Sequence, residues 1–245
     1  MPRHLLTAAS LSTSPLVHAI ADLCIIAFYY LLRVGEYTQH PPRALRRTTP
    51  FCLQDITLWQ ASSRLEPANL PLHVLLRTTT AASLRLRNQK TGVRNSVIHH
   101  AATHLEDCPV AAILRRIVHL RSHHASPSTH IATYYSAGTS STNIVTSGQI
   151  SSALKLAVVA GDLPNHGFVP AAVSSHSLRS GGAMALYLQG VPASTIQKMG
   201  RWSSDVFLTY IQAQIAGLTG PLAQIMSQSL PFHNLLGPHL STDQK

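Results

Sequence analysis

Apolar and polar positions alternate in three different rhythms along the chain. From Pro15 to Tyr37, "PLVHAIADLCIIAFYYLLRVGEY", apolar residues lie nearly all round a helical wheel, which predicts a buried helix with Ser14 at its cap. The stretch "HPPRALRRTTP", residues 40–50, breaks that pattern with prolines and predicts an exposed basic loop. Residues 51–59, 71–80 and 83–101 then alternate and are rich in β-branched side chains, predicting a small antiparallel sheet with "QKTG" (89–92) at a hairpin tip. Helical spacing returns over 108–124, with Asp107 or Cys108 at the cap and Pro109 in the first turn. A Ser/Thr-rich loop is expected from 125 to 146, and a helix from 147 to 160 ending at Gly161. Further helices are predicted at 176–189, 192–199, 204–216 and 221–229. A helix, a small sheet and then many helices define an α+β class, mainly helical.

Composition adds a partner to this outline. The chain has 245 residues, 45% of them hydrophobic, enough to bury a core, and a formal net charge of +10. Most of its basic residues are arginine, whose planar fork grips phosphate oxygens in pairs, although a GC-rich genome also produces such a bias. A polyanion such as nucleic acid is the expected partner. Three scattered cysteines indicate neither a disulfide framework nor a zinc site, so an intracellular setting is expected. His119 and His123 can share a helix face but have no acidic or cysteine neighbour, and no metal is expected. The longest apolar run, Leu23 to Leu32, is too short to span a bilayer, and no membrane role is expected.

Taken singly, the chemically capable residues have ordinary readings. His176 and Arg179, three apart, fit a solvated basic turn; Trp202 fits a hydrophobic plug and Tyr210 a half-buried core tyrosine. Arg33 and Glu36 fit an ion pair at a helix end, and Lys90 at a hairpin tip needs no special role.

In combination and order they read differently. "LLRVGEYT", a hairpin carrying "QKTG", "HSLRSGGAMALYLQGV" and "IQKMGRWSSDVFLTYIQ" together resemble the catalytic domain of the tyrosine recombinase (phage integrase) family. The wording is most similar to recombinases of eukaryotic mobile elements, of Crypton and DIRS-like type. The resemblance implies a catalytic domain over residues 20–230, with a segment at 1–19 in place of the family's core-binding domain and a tail at 231–245. It matches Arg33 and Arg179 to the two catalytic arginines, Glu36 to the supporting acid, Lys90 to the hairpin lysine, His176 to the histidine of HxxR, Trp202 to the family's histidine or tryptophan, and Tyr210 to the nucleophile. Trp202 stands one residue closer to Tyr210 than the family's usual spacing, a difference taken up either in the "SSD" turn or by Arg201 filling part of the usual role.

That set implies a reaction. Two arginines hold the non-bridging oxygens of a phosphodiester and stabilise the charge that grows on them. A tyrosine phenol, with pKa about 10, needs a helper such as His176 to attack. It forms a 3′-phosphotyrosyl link, while Lys90 protonates the departing 5′ oxygen. The link conserves the phosphodiester energy, so no cofactor is expected. Double-stranded DNA is the implied partner, with Arg43, Arg46, Arg47, Arg85, Arg87, Arg94 and Arg201 as candidate DNA contacts. Self-association into a dimer or tetramer on DNA, and a nuclear location in a eukaryote, are further expectations. The competing reading is a DNA-binding remnant or domesticated protein that no longer cleaves.

Overall fold

The computed structural model describes residues 2–39, 48–66, 70–89, 92–103, 105–136, 141–166, 169–204 and 208. Helix α1 (Pro2–Ser10) lays Leu5 and Ala9 against the core, and α2 (Pro15–Tyr29) runs through its middle with every residue from Ala19 to Ala27 buried. Even Asp22 of this helix is buried.

The helix stops well before the predicted Tyr37. Leu31 turns into the left-handed region at φ 48°, and the Leu32 N–H reaches back to the Ala27 carbonyl at 3.0 Å. This is the hydrogen bond of a Schellman cap. With no glycine to mark it and apolar residues on both sides, the pattern gives no sign of the stop. Arg33 is extended and opens a short 3₁₀ turn, Val34–Glu36.

The sheet is antiparallel in the order β2-β1-β3-β4, from β1 (Ile56–Gln60), β2 (Ser63–Leu65), β3 (Ala81–Asn88) and β4 (Arg94–Ala101). The register runs from Ala81 opposite Ala101 to Asn88 opposite Arg94. At the turn end of this hairpin the Gln89 N–H donates to the Val93 carbonyl at 3.1 Å, and Gly92 takes φ 83°. Residues 71–80, predicted as strand, instead form α3 (Leu72–Thr78), which follows Pro71 and buries Leu75. Thr78 is accommodated there because its hydroxyl donates to the Val74 carbonyl at 2.9 Å.

Helix α4 (Pro109–Ser122), with Cys108 at its N-cap, packs against α2, where Arg115 pairs with Asp22 at 2.6 Å. The predicted loop at 125–146 contains a two-stranded sheet, β5 (Thr133–Tyr135) with β6 (Thr142–Ile144). Its organiser is Arg116, buried in α4, whose guanidinium donates to the carbonyls of Ile131 and Thr133. Helix α5 (Ser147–Ala160) matches its prediction and begins with a capping box between Thr146 and Gln149. Helix α6 (His176–Leu188) lies close on α2 at Gly182, where a Cβ would run into the Phe28 carbonyl and the Leu31 side chain. Helix α7 (Ala193–Gly200) packs on α6 around Ala183, Met184 and Ile196. The predicted helices at 204–216 and 221–229 lie outside the described residues apart from Ser204 and Leu208. The fold is α+β, mainly helical with a small antiparallel sheet. Among the described residues no helix is long and apolar enough to cross a membrane.

Candidate active site

Three chain segments distant in sequence meet where α2 ends. The first is the turn after α2. The Arg33 backbone N–H donates to Glu36 Oε2 at 2.8 Å, and its Nη1 to Glu36 Oε1 at 3.2 Å. The Glu36 carboxylate is fully buried and takes a second cation on its other oxygen, Arg201 Nη2, at 2.7 Å. The second segment, the end of α7, supplies this Arg201, and the Arg201 carbonyl accepts from Arg33 Nη2 at 3.1 Å. Burial lowers the Arg201 pKa; the Glu36 charge opposes that shift, and neighbouring Arg33 adds to it.

The third segment is the start of α6. Arg179 projects back to α2, donating through Nη1 to the Leu31 carbonyl and through Nη2 to the Gly200 carbonyl. Gly182, one turn further along α6, permits the close approach that makes this reach short. The Trp202 ring lies over the Arg179 guanidinium, 4.1 Å from its central carbon, and packs flat against Gly200, where a Cβ would collide with it. His176 opens α6 as an exposed residue; partial desolvation of its ring and the Arg179 charge lower its pKa from 6.5. Its neutral form, able to accept a proton, is favoured at neutral pH.

Accessibility separates the three arginines. Arg179 is 2% exposed and the Arg201 side chain 9%, whereas the Arg33 side chain is 20% exposed. Two of the five guanidinium N–H donors of Arg33 are used in the bonds above. Beside the site, Ser96, His99, Lys198 and Arg201 line a groove of about 360 Å³ between β4 and α7.

Arg85 and Arg87 both lie on β3 and converge on Oδ1 of buried Asp55, each at 2.8 Å. Arg94 is exposed on β4. Lys90, Tyr210, Arg43, Arg46 and Arg47 lie outside the described residues. Gln89, buried at the end of β3, accepts from Arg201 Nε at 3.1 Å. Neither Gln89 nor Asp55 stood out in the sequence; the one available signal was that Gln89 directly precedes Lys90. Among the described residues no group of three His, Cys, Asp or Glu side chains is arranged to hold a metal.

No protein-family model matches the chain, and no curated protein matches it. Among solved structures, the chain is similar to the Tn1549 transposon integrase in complex with transposon right end DNA, at 14% identity and a TM-score of 0.41. A second structure of that integrase, in complex with a circular intermediate DNA, gives 14% identity and a TM-score of 0.39. Each match covers 81% of this chain and 58% of the integrase chain, less than two thirds of it.

Proposed function

We propose that the protein is a tyrosine-type DNA recombinase or integrase that cleaves and rejoins double-stranded DNA through a 3′-phosphotyrosyl intermediate on Tyr210. The observation that carries this reading is the convergence of Arg33 and Arg179 on adjacent carbonyls, Arg201 and Gly200, with His176 one turn from Arg179. Two guanidinium groups at one point, beside a largely neutral imidazole, suit a phosphodiester whose charge must be held while a phenol attacks it. In this mechanism Arg33 binds a non-bridging oxygen with its remaining donors, and Arg179 exchanges a backbone carbonyl for the other. His176 takes the Tyr210 proton, and Lys90 gives one to the leaving 5′ oxygen. Trp202 holds Arg179 in place through its ring face. The motif wording supports a mobile-element origin of Crypton or DIRS-like kind, self-association as a dimer or tetramer on DNA, and a nuclear site of action in a eukaryotic host.

The burial of Arg179, with both terminal nitrogens on carbonyls, favours a second reading: a DNA-binding protein of the same descent that does not cleave. Nicked suicide duplexes of mixed sequence, incubated with the protein at low salt and run on denaturing gels, separate the two. The recombinase reading expects a covalent protein–DNA adduct that disappears with Tyr210→Phe. Salt-sensitive binding without an adduct establishes the second.

A further inference from the structure

Arg201 ends α7 at φ 57° and ψ 41°. Glycine adopts this left-handed conformation freely and is the residue helix ends select there, whereas a Cβ resists it. Leu31 ends α2 in the same region, and the two meet: Arg201 Nη2 donates to the Leu31 carbonyl at 3.2 Å and Nη1 to the Tyr30 carbonyl at 3.4 Å. The same guanidinium bonds Glu36 Oε2 at 2.7 Å and Gln89 Oε1 at 3.1 Å. An arginine at a glycine position thus has its side chain held by four partners from two other segments, two backbone carbonyls and two side chains. Its backbone carbonyl accepts from Arg33 Nη2 at 3.1 Å. One residue therefore grips Arg33 twice, through Glu36 and through its own carbonyl.

We propose that Arg201 is a positioning residue that fixes the Arg33 guanidinium and, through Gln89, ties the end of β3 leading into Lys90 to the same point. Four of its five guanidinium donors are committed inside the protein, which sets it apart from a DNA backbone contact. For its effect on cleavage the proposal rests on the function proposed above; the positioning itself stands without it.

The test reads Arg33 directly, through its guanidinium N–H signals in nuclear magnetic resonance spectra of the free protein, assigned by their loss in Arg33→Lys. Wild type is expected to give separate, slowly exchanging Nη signals, and Arg201→Gly to merge them into an averaged one. Glycine suits the cap, so that variant is expected to keep a cooperative unfolding transition. Gln89→Ala, which leaves every charge in place, is expected to broaden the Arg201 Nε–H signal, and it decides the matter where Arg201→Gly does not fold. In the adduct assay Arg201→Gly is expected to fall about a hundredfold with DNA affinity retained, the scale of a misplacement of about 1 Å. Unchanged Arg33 signals in a folded Arg201→Gly, or an unchanged Arg201 signal in Gln89→Ala, would overturn the proposal. A wild type that forms no adduct sinks the functional reading instead, and the Arg33 signals still decide the positioning.

Discussion

Glu36 is the anion between two cations, fully buried while its partners keep part of their surface. Replacing it by glutamine preserves shape and leaves Arg33 and Arg201 facing each other uncompensated. Removing one partner of a buried pair costs about 3–5 kcal/mol, and the exposure of Arg33 puts Glu36→Gln near the lower end of that range. Urea unfolding measures it; a loss under about 1 kcal/mol would mean the carboxylate is not the keystone of this corner. His176 gives a second prediction. Its pKa is lowered from 6.5 by burial and by Arg179, so adduct formation should fall on the acid side with a midpoint below 6.5, and His176→Ala should remove that limb. Arg33, His176 and Arg179 were singled out in the sequence as candidates by the order of the motifs that carry them, not by any one motif alone. Asp55 was not, since its arginines lie 30 and 32 residues away and only strand pairing brings them to it.

Among the elements, α5 was readable because Thr146, Gln149 and Gly161 mark both of its ends chemically. The end of α2 carries no such mark. Its stop is imposed from outside, by α6 at Gly182 and by the arginines that take the Leu31 carbonyl. The same tertiary override hides α3, whose β-branched Val74 and Thr78 favour a strand until Leu75 is drawn into the core. Contact between α2 and α6 sets the reach of Arg179, so Gly182→Ala is expected to push the helices apart and destabilise the fold by about 1–3 kcal/mol. It should also cut adduct formation more strongly than that loss of stability explains. Alanine tolerated at this position, with full stability and cleavage, would show that the helix spacing does not set the site.

Across the whole molecule, the net charge of +10 and the proposed function together predict phosphate-dominated DNA affinity, so a binding constant measured from low to physiological salt should fall steeply. A nearly flat response would contradict this. Acid should weaken the fold. Burial lowers the His119 pKa to about 4 and lowers His100 and His176 too. Each ring binds its proton more weakly folded than unfolded, so the stability these neutral rings contribute is complete above 6.5 and is lost as pH falls toward their folded pKa values. Asp22, raised by burial, acts in the opposite sense but with a single proton. The midpoint of thermal unfolding is therefore expected to drop between about pH 7 and pH 5, and a flat or rising midpoint would refute the balance.

The proposed function turns on a covalent bond to one named atom, the Tyr210 phenol oxygen, and peptide mapping reads it directly. Trypsin cuts after Arg201, no Lys or Arg follows before Lys245, and the peptide that begins at Trp202 contains a single tyrosine up to there, Tyr210. Mass spectrometry of the nuclease-trimmed adduct should find that peptide carrying a nucleotide on Tyr210. A nucleotide on any other residue, or no modified peptide under conditions where DNA is bound, would contradict the account.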